Sequence, residues 1–289
     1  MNRDILLFIQ NNMSSFSKGQ KRIANYILES YDKAAFMTAS KLGKMVDVSE
    51  STVVRFASEL GYDGYPSMQK ALQEMIRNKL TTIQRIEVSN DLICDQDILS
   101  MVLQSDIDKI RMTMEETNRD NFNETVDAIL EAKKIYIIGV RSSAALSSFL
   151  TFYFNLIFEN VVQISANTVS EMFEQMLRVG PQDVVICISF PRYSSRTVKA
   201  MKFARDRGAM VIALTDSEMS PLAGMAQHTL LAKSDMASFV DSLVAPLSLI
   251  NALIVAVGRK KNEDLSHTFE TLEKIWDEYD VYEKADAQG

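Results

Sequence analysis

The strongest constraint on the fold is a unit that recurs in the second half of the chain. A short, continuous run of apolar and largely β-branched residues is followed each time by a helix-length stretch. The runs are Ile135-Tyr136-Ile137-Ile138-Gly139, Val161-Val162-Gln163-Ile164, Asp183 to Ser189, Met210 to Thr215, and a last short one at Thr229-Leu230-Leu231. Strands that are apolar at nearly every position are buried on both faces, and the intervening helices are the crossovers that parallel strands require. The pattern predicts a doubly wound α/β domain with a mostly parallel sheet. The long apolar helix after Pro246 is expected to pack on this sheet or on a second subunit.

Residues 1–77 have a different texture, all short helices. One begins at Ser17 and runs through Ile23, Ala24, Ile27 and Leu28; the next begins near Thr38. Val46-Asp47-Val48 then interrupts the pattern, Ser49 is placed to cap a third helix from Glu50 to Leu60, and Gly61 follows as its C′ residue. A turn at Tyr62–Pro66 precedes a fourth helix from Ser67. A helix, a three-residue break and a second helix make a helix-turn-helix, whose second helix lies in the DNA major groove. In this reading Ala39, Leu42, Met45, Val46 and Val48 face the core, and Val53, Val54 and Leu60 anchor the second helix. Ser49, Glu50, Ser51, Thr52 and Arg55 then face outward to reach base edges or phosphates, with Arg55 able to meet guanine bidentately. Lys18, Lys21, Arg22, Lys41 and Lys44 supply phosphate charge nearby. The plain alternative is a helical bundle whose polar face is only solvated.

Charge agrees with a polyanion at this end. Residues 1–80 hold 11 Lys/Arg against 8 Asp/Glu, whereas the rest of the chain holds 20 against 30. Between the two parts, residues 78–125 read as a linker and connecting helices, with apolar periodicity at Ile98, Val102, Ile107, Ile110 and Met114. The sheet domain is expected over 126–265 and a C-terminal helix and tail over 266–289. With 47% apolar residues the chain can bury sizeable cores. Cys94 and Cys187 stand far apart with no metal-ligand spacing around them, so neither a disulfide framework nor a metal site is expected. The apolar stretches are too short to span a bilayer, and MNRDILLFIQNNM lacks the features of a signal peptide. A cytoplasmic protein without a membrane partner is the expectation.

The stretch KRIANYIL from Lys21, together with Ala39-Ser40-Lys41-Leu42, VSESTVVRF from Val48 and LGYDGY from Leu60, resembles the DNA-binding head of RpiR-type (MurR/RpiR) transcriptional regulators. In that family the second half is a sugar isomerase (SIS) domain, and residues of about 126–260 are similar to one. The resemblance implies an all-α helix-turn-helix head on an α/β, SIS-type domain. It also implies two phosphate loops, one around Gly139, Ser142 and Ser143, the other over Tyr193-Ser194-Ser195-Arg196-Thr197. Ser142, Ser143, Ser194 and Thr197 would hold the phosphate, with Ser189 assisting. Both loops lie at strand-to-helix turns, where free N–H groups and the helix dipole favour anions.

Three departures from the family pattern concern the pocket. Arg141 stands where a second glycine is usual, Ser195 replaces the glycine of the second loop, and Phe190-Pro191-Arg192 is an insertion. Arg141, Arg192 and Arg196 therefore gather at one pocket mouth. Either they serve a ligand more anionic than a hexose monophosphate, or they pair with Asp216, Glu171 or a partner subunit. The implied partners are double-stranded operator DNA, a phosphorylated sugar or similar anionic effector, and further copies of the chain in a homodimer or tetramer. No cofactor and no catalytic residue is assigned. The rival is a sugar-phosphate isomerase with an accessory head, for which Glu171, Glu174, His228 and His267 would be the candidate bases.

Overall fold

The structure, a computed structural model, describes residues 5–76, 83–86, 97–234 and 240–282. These group into two compact units: the residues up to Met101 together with Val240 and Asp241, and the remainder from Val102 onward. Among the described residues no helix is long and apolar enough to cross a membrane.

The first unit consists of α1 (Ile5–Asn11), α2 (Lys18–Glu29), α3 (Tyr31–Ala34), α4 (Ala39–Met45), α5 (Glu50–Glu59) and α6 (Tyr65–Ile76). Ser17 begins α2 with a capping box, exchanging hydrogen bonds with Gln20. Ile9, Ile23, Ile27, Leu42, Val53, Phe56, Met68 and Leu72 form one core, with Phe16 edge-on to Phe56 at 5.2 Å. The fourth expected helix starts two residues early, at Tyr65, because Pro66 suits a first turn that needs no N–H from it. It is tied to the preceding chain by Tyr65 and Gln69, which both donate to the Met37 carbonyl (2.6 and 2.8 Å). Much of the expected linker lies outside the described residues, as does Cys94. Residues 83–86 form one helical turn, and there the buried Arg85 meets Asp241 at 2.7 Å.

The second unit holds most of α7 (Ile98–Glu116) and α8 (Arg119–Glu131), followed by β1 (Lys134–Gly139), α9 (Ser143–Ile157), β2 (Val161–Ile164) and α10 (Val169–Gln175). Then come β3 (Asp183–Ile188), α11 (Ser195–Asp206), β4 (Met210–Thr215), β5 (His228–Leu231), α12 (Val244–Lys260) and α13 (Asn262–Glu278). All four strand pairings are parallel, in the order β2-β1-β3-β4-β5. Alternate residues build two cores. Ile135, Ile137, Val184, Ile186, Ile212 and Leu214 face α8, α9 and α12, while Tyr136, Ile138, Val185, Cys187, Val211 and Ala213 face α10 and α11. The helix after Pro246 packs on the sheet through Leu249, Ile250, Leu253 and Val257. Cys187 is fully buried, and burial pushes its thiol pKa well up.

On helix α7, Ile98, Ile107, Ile110 and Met114 of the periodic apolar set, and Leu103 beside them, are exposed, Val102 is half-buried, and Lys109 and Thr113 are buried. The buried side is held by polar bonds: Lys109 to Ser105, Asp106 accepting from the Ser242 hydroxyl at 2.6 Å, and Thr113 Oγ1 accepting from the Lys233 N–H at 2.9 Å. Periodicity marks a face; here it is the opposite face that packs.

Burial raises the Tyr65 pKa from 10.0 to about 12. The folded head therefore keeps this proton where the unfolded chain releases it, so its stability is full below pH 10 and falls as pH rises from 10 towards 12. Tyr65→Phe is expected to cost about 1–2 kcal/mol near neutral pH through loss of the Met37 bond, and to flatten this alkaline decline in denaturation curves taken between pH 9 and 12.

Candidate functional site

The turn between α4 and α5 is built by backbone constraints. After α4, the Val48 N–H bonds the Gly43 carbonyl (2.9 Å) and the Asp47 N–H bonds the Lys44 carbonyl (3.4 Å), closing the helix with a left-handed residue. That residue is Asp47, at φ 53°. Gly43 is required as glycine, because a Cβ there would lie 2.8 Å from the Val48 carbonyl oxygen. Asp47 also accepts from Arg22 Nη1 at 2.9 Å, so one of the expected phosphate-binding cations is engaged by the turn itself. The same closure ends α5: Gly61, at φ 87°, and Tyr62 bond back to Ser58 and Ala57.

Three expectations for this region are corrected. Ser49 occupies the N-cap position of α5, but its hydroxyl meets the hydroxyls of Ser51 (2.9 Å) and Thr52 (2.8 Å) instead of a backbone N–H. Adjacent hydroxyls compete with the backbone for such bonds. Met45 and Val54, assigned to the core, are 54% and 40% exposed, because Leu42 and Val53 with Phe56 already fill the interior. Ser49, Glu50, Ser51 and Arg55 are exposed and Thr52 is half-buried, and Arg55 Nε donates to the Ser51 carbonyl at 3.3 Å. Lys18, Lys21, Lys41 and Lys44 are also exposed.

In the sheet domain, β1 pairs with β2 on one side and β3 on the other, so the topological switch point lies between β1 and β3. Ligands of open α/β sheets bind at the strands' carboxyl ends there. Gly139 is aligned with Ile188, which brings the loops after these strands side by side. The first is forced tight: a Cβ on Gly139 would lie 2.3 Å from the Ser143 carbonyl oxygen. Arg141 sits at φ 60°, which explains why glycine suits its place. Its side chain is exposed and forms no ion pair among the described residues. Ser142 is exposed at the start of α9, and Ser143 is buried.

The second loop is fastened at several points. The Ser189 N–H donates to the Leu214 carbonyl (3.1 Å), and the Ser189 hydroxyl accepts from the Ser194 N–H (3.1 Å). Phe190 is buried in the core beneath, and Arg192 turns the chain at φ 60°. Tyr193 donates to Asp216 at 2.8 Å. Ser194 caps α11 by accepting from the Thr197 N–H at 3.4 Å, and Ser195 is exposed at the first helical position. The Thr197 hydroxyl is fully buried with no hydrogen-bond partner. A buried hydroxyl in that state costs about 1–3 kcal/mol, and such groups mark sites of strain or ligand binding.

Of the carboxylates offered as partners for the arginines, Glu171 accepts from the Asn167 N–H (2.9 Å) and Asp216 from Tyr193. Arg196 reaches the Ala166 carbonyl at 3.4 Å. Glu174 accepts from Ser170, His228 lies 3.2 Å from Asn121, and His267 is exposed on α13, so these groups are dispersed. Among the described residues no cluster of three His, Cys, Asp or Glu could hold a metal ion.

The described chain thus pairs a helix-turn-helix head with a five-stranded, all-parallel α/β domain, and each part has a known counterpart. The helix-turn-helix domain of the rpiR family matches residues 3–79, and the SIS domain matches residues 128–256. The chain therefore joins a helix-turn-helix domain of the rpiR family to an SIS domain, and its relatives over nearly the whole length are HTH-type transcriptional regulators. It is 26% identical to the regulator HexR of Escherichia coli over 92% of this chain and 93% of HexR. An HTH-type transcriptional regulator of Caldanaerobacter subterraneus is 24% identical over 94% of this chain and 96% of its own. Among solved structures, Vibrio vulnificus NanR complexed with ManNAc-6P aligns with a TM-score of 0.58 at 22% identity, covering 94% of this chain and 99% of NanR. The sugar isomerase domain of the Sphaerobacter thermophilus RpiR transcription factor gives 0.57 at 26% identity, covering 62% of this chain and 99% of that one.

Gly139→Ala tests the geometry of the first loop. The Cβ meets backbone rather than a movable side chain, so a loss of about 2–3 kcal/mol is expected in the denaturation of the sheet domain, against little change for Gly180→Ala, where no atom lies within 4 Å of the added Cβ.

Proposed function

We propose that this regulator binds operator DNA through α4 and α5, and that its SIS domain senses a phosphorylated sugar or related anionic metabolite without converting it. The head supplies an exposed helix with Arg55 and flanking hydroxyls, above lysines suited to phosphate. The observation that carries the sensor reading is the buried, unpartnered hydroxyl of Thr197 in the first turn of α11, beside the switch-point loops. An anion seated at the start of α11 gives that hydroxyl an acceptor, while the exposed Arg141 adds charge. Dispersal of the candidate bases supports a sensor over an isomerase. The complex of NanR with ManNAc-6P makes phosphorylated amino sugars the first ligands to test.

Arg55→Ala is expected to weaken selected operator DNA by about 1–3 kcal/mol and to relax sequence preference. Ser194→Ala and Thr197→Val are expected to abolish the effector response in DNA-binding titrations while ligand-free DNA binding persists. Thr197→Val removes an unpaired buried polar atom at nearly constant volume, so the ligand-free variant is expected to gain stability, by up to about 1–3 kcal/mol. Effector coupling of about 1–3 kcal/mol is the scale to look for. Normal responses in both variants place the pocket elsewhere, and turnover of a sugar phosphate at enzyme-like rates overturns the sensor reading.

The exposed apolar stripe of α7 supports a homodimer. Leu103, Ile107, Ile110 and Met114 follow the alternating four- and three-residue spacing of a coiled-coil seam and are left exposed by the described residues. Paired heads are also what reading two half-sites requires. The double variant Leu103→Glu, Ile107→Glu is expected to sediment as a monomer at micromolar concentration, where the unaltered chain sediments as a dimer or tetramer.

A further inference from the structure

On the reading that α5 enters the major groove, we propose that Val54 reads the 5-methyl group of a thymine and so sets part of the operator sequence. At 100° per residue, the exposed positions of α5 fan out from Glu50 through Val54, Ser58, Ser51 and Arg55 to Glu59. Val54 lies inside this arc, between Glu50 and Ser58 and one turn from each. Every other member of the arc carries a polar or charged side chain.

Among the described residues Val54 is not part of the head's core. Its neighbour Val53 is fully buried and, with Phe56 and Ala57, closes the core, whereas Val54 is 40% exposed. A β-branched residue on an exposed helical face is also a poorer helix former than Ala, Lys or Glu. Within a groove the same side chain is well suited. It loses no hydrogen bond to water when buried, and its short, stiff branch holds two methyl groups close to the helix. The apolar feature of the major-groove floor is the thymine methyl, and small apolar side chains are the groups that meet it. The flanking residues divide the remaining edge chemistry: Glu50 is an acceptor suited to cytosine N4, Arg55 a donor suited to guanine. Arg55 already leans on the Ser51 carbonyl at 3.3 Å, one residue of arc away from Val54, so the two side chains address different base pairs.

The test uses the full-length protein and sites selected from a randomised duplex library. In a preferred site, each thymine is replaced in turn by deoxyuridine, which removes only the methyl group. At one thymine of a half-site the affinity is expected to fall about three- to tenfold, the effect of one or two lost methyl burials. Val54→Ala is expected to weaken the unmodified site by a similar factor, and in that variant the deoxyuridine penalty at the same thymine disappears while penalties elsewhere stay. A penalty of unchanged size in Val54→Ala, or no methyl-sensitive thymine in any selected site, overturns the proposal. Loss of all DNA binding by the unaltered protein overturns the helix-turn-helix reading instead.

Discussion

The geometry of the sheet domain rests on an absent side chain. At the end of β1 the chain passes so close to the first turn of α9 that the Ser143 carbonyl lies where a Cβ on Gly139 would be. That proximity holds α9 directly over the strand's carboxyl end, and the alignment of Gly139 with Ile188 sets the second loop beside the first. Everything that follows at the switch point inherits this spacing. Phe190 is buried in the core beside it, which anchors the start of the second loop.

The two loops hold their shape by different means. The first has little besides backbone sterics and a left-handed arginine, a conformation that costs a residue with a Cβ on the order of 1 kcal/mol. The second is tied by Ser189, Ser194, Tyr193 and Asp216 to each other and to β4. Each loop carries one left-handed arginine, Arg141 in the first and Arg192 in the second, so the difference between them lies in the side-chain hydrogen bonds that fasten the second.

The parallel sheet was legible in the sequence because β-branched runs buried on both faces leave no alternation to misread, and all five strands form near the positions their runs indicate. The turn between α4 and α5 was legible as a break, but its left-handed residue was not, since the position is held by Asp47 rather than glycine. Burial at single positions was less accessible. The pairs Met45 with Leu42, and Val54 with Val53, are alike in hydropathy, and only packing decides which member reaches the interior. Helix α7 carries the same lesson further. Its periodicity was legible, but which face packs was not, because the buried face is polar and held by distant partners: Thr113 accepts from the Lys233 N–H and Asp106 from the Ser242 hydroxyl. At the candidate pocket, the loop positions could be read from the strand ends, whereas the unsatisfied Thr197 hydroxyl required atomic geometry.

Cys187 has a chemical consequence of its own. It sits in the middle strand of the sheet, without solvent exposure, and its thiol holds its proton far above neutral pH. Nucleophilic sulfur chemistry proceeds through the thiolate, so peroxides, disulfides and alkylating reagents find no reactive species at this position in the folded protein. Labelling of Cys187 thus becomes a clock for opening of the sheet. Its rate reports how often the central strands separate, and ligand-induced tightening of the domain becomes visible as slower modification of a residue that touches no ligand.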